Sequence, residues 1–171
     1  GIVFYFYKIF EYIFNLNKNK EFINNSYYFL SLDSGCILEN DYNKNIYTWF
    51  KKNVFEKNEN DSQNLYFYHN INNKNQSEKI KFHKSPTSIN NFQTLLFFIF
   101  FGLIFILLSA FNLIFLRWKL ALLSKEILAM LIIKYTPKKN LFKSYLFNNT
   151  SFIYKPLWTY EAEKKKSEVV L

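Results

Sequence analysis

The sequence predicts a mainly α membrane protein in which one transmembrane helix continues into a further helix, with extended arms and a small β-hairpin on its flanks. Three observations predict it. Residues 95–116 form an uncharged apolar run of 22 residues. No Gly or Pro interrupts the chain between Gly102 and Pro137. The Asn-, Lys- and Ser-rich stretch 17–91 contains no long apolar run, so it offers little material for a core.

Four segments follow in order: an apolar interfacial segment (1–16), a polar arm (17–91), a transmembrane and extended helix (92–135) and a basic tail (136–171). The first is broken by Lys8 and Glu11. Its length as a helix is about 24 Å, short of a hydrocarbon core of about 30 Å. Two ionisable groups near its middle disfavour spanning further, and their i, i+3 spacing lets them pair on one helix face. Tyr5, Tyr7 and Tyr12 suit a membrane interface or a protein-packed helix.

Within the arm, Asp41 is placed to cap a helix carrying Tyr42, Ile46, Phe50 and Val54, with Trp49 beside them. Residues 65–68 and 79–82 have the composition of two short strands, and the Asn-rich stretch between them reads as a long hairpin loop. The arm is expected to order against partner subunits.

The run at 95–116 gives about 33 Å of helix, enough to cross a bilayer with slight tilt. Gly102, Ser109 and Asn112 are its helix-packing candidates: Gly102 permits close approach of a neighbour, Ser109 can bond within its own helix, and Asn112 is expected to face protein. Arg117, Trp118 and Lys119 form the basic, aromatic boundary expected at a water interface. With no breaker until Pro137, the helix is expected to run from about Phe92 to Tyr135, roughly 66 Å, and to stop at Thr136-Pro137. Beyond it, the rings of Phe142, Tyr145, Phe147, Phe152, Tyr154, Trp158 and Tyr160 are expected to dock on a partner, and 161–168 reads as a solvated end.

The formal charge of +9 is unevenly spread. Residues 1–92 carry eleven lysines against nine acids, about +2; residues 117–171 carry eleven basic residues against four acids, about +7. Close to the span the balance is nearly even, with Lys79, Lys81 and Lys84 before it and Arg117, Lys119, Lys125 and Lys134 after it. The tail's excess points it toward the positive-inside compartment. One cysteine, Cys36, cannot form an internal disulfide. The first residue is Gly1 and no secretory signal pattern opens the chain, which leaves open the loss of a start residue or a leader.

Few recognisable chemical motifs are present. Three glycines cannot build a phosphate loop, and Cys36, His69 and His83 lack metal-ligand spacing, so no cofactor, no metal and no catalytic set are expected. Lysines mixed with aromatics carry no specific nucleic-acid signal here, because both are common everywhere. Glu126 is the one acid with a sharper candidate role, in a proton path near membrane depth.

Phe, Tyr, Ile, Asn and Lys, whose codons are richest in A and T, dominate, whereas Gly, Ala, Arg and Pro are scarce. The bias runs through polar and apolar segments alike, as mutational pressure in an AT-rich genome would produce. On this composition and the single span, the chain resembles mitochondrially encoded inner-membrane subunits of protist oxidative phosphorylation complexes. One span leading into a basic helix is similar to subunit 8 or subunit b of the ATP synthase stator. The resemblance implies a non-catalytic structural subunit, single-pass in the mitochondrial inner membrane with its tail in the matrix. Its implied partners are other subunits and membrane lipids. Leu123 to Leu128, with Glu126, faintly resembles the glutamate-bearing helices of respiratory complex I, an alternative that makes the chain proton-translocating. A basic ribosome-associated organellar protein is the third reading.

Overall fold

The computed structural model describes residues 1–14, 27–30, 65–67, 80–82, 85–115, 117–147 and 155–170. Among these, helix predominates. Helices α1 (Ile2–Phe14), α2 (Phe92–Ile114), α3 (Lys119–Leu122), α4 (Ser124–Tyr135) and α5 (Leu157–Lys164) accompany strands β1 (Tyr27–Leu30), β2 (Leu65–Phe67), β3 (Ile80–Phe82), β4 (Ser144–Phe147) and β5 (Glu168–Val170). The expected helix after Asp41, and Cys36, His69 and His83, lie outside the described residues.

Helix α2 starts where the sequence places it, because the Asn91 side chain accepts from the Thr94 amide at 2.6 Å and caps the first turn. It is the one helix among the described residues long and apolar enough to cross a membrane. It does not continue to Tyr135. The amides of Phe115 and Arg117 both close on the Asn112 carbonyl, at 3.2 and 2.9 Å. The Arg117 bond is the 6→1 closure of a Schellman-type helix end. A single turn of α3 and a pivot at Leu123 then reverse the chain. This reversal needs no Gly or Pro, which is why the sequence does not mark it. Helix α4 ends at Thr136 as expected, with the Thr136 hydroxyl on the Ile132 carbonyl at 2.7 Å.

After the reversal, α4 runs antiparallel along α2. The Thr94 hydroxyl meets the Tyr135 carbonyl at 3.0 Å, and the Phe97 and Phe101 rings stack on Tyr135 at 4.7 and 5.1 Å. Helix α1 completes this layer through Tyr5, whose ring lies 5.3 Å from Phe98 and whose hydroxyl donates to the Ile99 carbonyl at 2.9 Å.

Gly102 makes that approach possible. A Cβ there would stand 2.7 Å from Tyr5 Cε2 and 3.4 Å from Leu128 Cδ2. The ring is pinned by its hydroxyl, so it cannot swing away cheaply. Gly102→Ala would gain up to about 1 kcal/mol in helix propensity, but overpacking costs about 1–3 kcal/mol. The expected net loss is about 1–2 kcal/mol by urea denaturation, and Tyr5→Leu in the same chain should recover most of it.

All five strands form one parallel sheet in the order β3-β2-β1-β4-β5. Strands β2 and β3 occur where the sequence reading puts them, but they run parallel, so they are not the two arms of a hairpin. Strands β1–β3 precede α2 and β4–β5 follow it. The sequence reading assigns those flanks to opposite compartments, an arrangement that does not fit hydrogen-bonded strands of one sheet.

Helix α4 lies between two apolar clusters. Ala129 and Ile133 pack with Tyr28, Leu141, Phe142, Tyr145, Trp158 and Ala162 on the sheet side, while Leu128 and Ile132 pack with Tyr5, Leu95 and Phe98 of the outer helices. Of the tail rings expected to dock on a partner, Phe142, Tyr145 and Trp158 are instead buried core of this chain, Phe147 packs against them and Tyr160 is exposed; Phe152 and Tyr154 lie outside the described residues. The segment expected to be solvated is also tied in. Ala162 is buried, the Ser167 hydroxyl donates to the Phe142 carbonyl at 2.8 Å, and Lys165 Nζ donates to the Ile133 and Lys134 carbonyls at 2.9 and 2.6 Å. A cation closing the carboxyl end of α4 satisfies its orphan carbonyls.

Candidate functional site

In a parallel sheet, successive connections leave from opposite directions where the strand order reverses, and a crevice opens outside the carboxyl ends of the two strands. The order β3-β2-β1-β4-β5 places that reversal between β1 and β4. Their register is fixed: Tyr27 pairs with Ser144, Tyr28 with Tyr145, and Leu30 with Phe147 at the carboxyl edge. Tyr28 and Tyr145 are fully buried, with rings 6.2 Å apart, and burial pushes the Tyr145 phenol far above its ordinary range. Both rings belong to the core cluster that α4 and α5 complete beneath this strand pair. Ser144 and Leu146, pointing to the opposite face, are buried too. Covering on both faces is the condition under which parallel sheets occur.

Helix α5 follows β4 and returns the chain to β5. Trp158 in its first turn packs edge-on to Tyr145 at 5.0 Å and against Phe147 at 6.1 Å, locking the start of the helix to β4. Lys155 stands two residues before the helix, with Nζ 2.6 Å from Glu163 Oε1 and 4.8 Å from the Tyr160 ring centroid.

Glu126 reaches across from α4 to accept the Leu157 amide at 3.2 Å. A carboxylate there satisfies one of the orphan donors of the α5 amino terminus and complements its dipole. The carboxylate's contact is therefore a helix cap, which the sequence reading of a proton path does not anticipate. Glu126→Ala should cost about 1 kcal/mol, as loss of a cap does, and Glu126→Gln less, since an acceptor remains. Thermal denaturation of the two variants side by side checks the order.

The other predicted residues separate. Gly102 meets Tyr5 and Leu128 within the chain. Ser109 is buried on α2. Asn112, expected to face another protein, bonds back to its own helix instead, Nδ2 donating to the Leu108 carbonyl at 2.8 Å. Arg117, Trp118 and Lys119 are exposed at the reversal, as interface anchors would be. Among the described residues no group of His, Cys, Asp and Glu is arranged to hold a metal.

A second polar cluster extends the pair read from the sequence. Lys8 Nζ sits 2.8 Å from Glu11 Oε2, as the i, i+3 spacing predicts, but it also lies 3.1 Å from Ser85 Oγ. Ser85 in turn meets Thr87 through hydroxyl and amide contacts of 3.2 Å each. The rings of Phe4 and Tyr7 flank the ammonium at 5.6 Å. Burial lowers the Lys8 pKa, and the Glu11 carboxylate opposes that shift. A lysine within reach of a serine hydroxyl has the parts of a nucleophile and base. Lys8 is only 2% exposed, however, so no substrate carbonyl reaches it. The cluster ties α1 to the chain entering α2. The part the sequence reading missed, Ser85 and Thr87, lies in a Ser-Pro-Thr turn, the local signal that could have marked it.

Comparison with known proteins places one finding on this framework. Residues 103–171 match a family model described as polysaccharide biosynthesis PFTS motif protein. The matched stretch, a minority of the chain, begins within α2 and includes α3, α4, β4, α5 and β5. No curated protein and no solved structure matches the chain.

Proposed function

We propose that this chain is the membrane-seated, donor-binding part of a protein of polysaccharide biosynthesis, holding a nucleotide-linked sugar at the reversal point between β1 and β4. The observation that carries the proposal is the parallel order β3-β2-β1-β4-β5. Open parallel sheets bind ligands outside the carboxyl ends of the strands at this point, and nucleotides are their recurrent ligands. The match over 103–171 supports the sugar component, since that stretch contains β4, one of the two strands at the reversal point. The apolar surface of α2 supports the membrane component.

Amide hydrogen exchange of the full chain in mild detergent, with and without nucleoside diphosphate sugars, tests it. Binding should slow exchange at the carboxyl ends of β1 and β4, around Leu30 and Phe147, and leave the edge strand β3 unchanged. No protection with any nucleoside diphosphate sugar, nor with the free diphosphates, would defeat the donor-binding reading.

The composition supports a second reading: a structural, non-catalytic subunit of a mitochondrial inner-membrane oxidative phosphorylation complex. Native electrophoresis after gentle solubilisation separates the two. Comigration with a respiratory complex or ATP synthase favours the subunit, and migration apart from both favours the sugar-nucleotide reading.

A further inference from the structure

We propose that the outer face of the α1–α2 layer seats the protein in one leaflet of a bilayer containing anionic lipid, with α2 lying along the surface and both of its flanks on the same side. The inference rests on the membrane component of the preceding reading and adds the geometry of attachment.

Three features fix that geometry. The first is the sheet, which joins strands from before and after α2 and so holds both flanks in one compartment. The second is the layer order. Helix α4 presents Ala129 and Ile133 to the sheet and Leu128 and Ile132 to the outer helices. Because α2 runs antiparallel along α4, it travels beside the folded body and not away from it. Driving α2 upright through a bilayer would carry α4 to hydrocarbon depth, together with Lys125 and Glu126. Each such charge costs about 2.5–3.5 kcal/mol at the centre of a spanning helix.

The third is the chemistry of the uncovered face. Phe6 and Phe10 of α1, with Phe100, Leu107, Phe111 and Ile114 of α2, are between 52 and 76% exposed. Only 28% of the most apolar stretch of α2 is buried by this chain. Gln93 is exposed at the amino-terminal end of α2, and the polar side chains further along it are turned inward or satisfied locally: Thr94 bonds the Tyr135 carbonyl, Asn112 bonds the Leu108 carbonyl and Ser109 is buried. A protein interface of useful size usually offers about one hydrogen bond per 100–200 Å², and this face offers almost none. Lipid chains ask for none.

The charges complete the match. Glu11, the one acid on α1 and α2, is engaged with Lys8. Arg117 and Lys119 are exposed at the end of the face, beside Trp118 at 64% exposure. Cations on long stems and an indole are the groups that settle at a headgroup boundary, and anionic lipid adds attraction.

The test adds the full chain to preformed sealed vesicles of phosphatidylcholine, alone or with phosphatidylglycerol. In a Cys36→Ser background, single cysteines at Ser88 and Lys138 report the two flanks to an impermeant maleimide outside. The expected result is flotation that is stronger with phosphatidylglycerol, with both cysteines labelled. Arg117→Gln and Lys119→Gln should each weaken binding to the anionic vesicles roughly fivefold. Flotation with one cysteine protected would overturn the surface seating and leave the membrane reading standing. Flotation indifferent to phosphatidylglycerol and to both substitutions would overturn the anionic-lipid claim. Failure to float, with association into dimers, would defeat both readings and assign the face to a second copy of the chain.

Discussion

Glu11→Gln is expected to destabilise the fold by about 3–5 kcal/mol near neutral pH, because it strands the Lys8 ammonium in a site that is 2% exposed. The loss should depend on pH in a defined direction. Burial already places the folded Lys8 pKa below its ordinary value of 10.5, with Glu11 as the opposing influence. Between the folded value and the unfolded one, the unfolded chain binds more protons, so stability contributed by this site rises with pH. Removing Glu11 lowers the folded value further and widens that window downward. The deficit of the variant should therefore shrink as pH is raised toward 10. Urea denaturation at several pH values checks this, and a deficit that stays constant would mean that the Lys8 charge is not its source. Lys8→Met with Glu11→Gln should be milder than Glu11→Gln alone, since no charge remains stranded.

Trp158→Ala should cost about 3–5 kcal/mol, the range for truncating a buried tryptophan. The indole is 5% exposed and contacts rings on two strand residues, Tyr145 and Phe147. Its removal unlocks the start of α5 from β4 and opens the cluster shared with Ala129 and Ala162. Near-UV circular dichroism should lose its fine structure at temperatures where the parent chain is folded. Trp158→Phe should retain most of the stability. Equal losses for Ala and Phe would mean that ring burial is not what holds α5.

The sequence was legible where local chemistry decides structure. The apolar run placed the start of α2 near Phe92, Thr136-Pro137 marked the end of α4, and the spacing of Lys8 and Glu11 gave their ion pair. It was also legible for short aromatic runs, since 65–67 and 80–82 are strands. It was not legible where distant segments decide. Buried parallel strands are brief apolar runs without alternation. In a chain so rich in Phe and Tyr, residues 27–30 and 144–147 stand out no more than their neighbours do. The reversal after Ile114 is built by carbonyl sharing at Asn112 and carries no Gly or Pro to announce it. Once that reversal is missed, the helix reads as continuous and its flanks as separated.

The candidate crevice was invisible for the same reason. It depends on strand order, to which β1 contributes across more than a hundred residues of sequence, and not on any motif. Glu126 shows the reverse case: the sequence marks it as a proton-path candidate, and its contact in the fold, the Leu157 amide, became apparent only with α5 in place.

The central claim is the pairing of β1 with β4, which joins the two flanks of α2. Cysteines at Tyr27 and Ser144, register partners on adjacent strands, test it most directly in the Cys36→Ser background. Neighbouring strands lie about 4.8 Å apart, within reach of a disulfide. Mild oxidation of the full chain should give an intramolecular cross-link, seen as a mobility shift reversed by reductant. A control pair at Tyr27 and Lys164 should give none. Absence of the 27–144 cross-link, with both thiols reactive, would contradict the sheet and the same-side arrangement built on it.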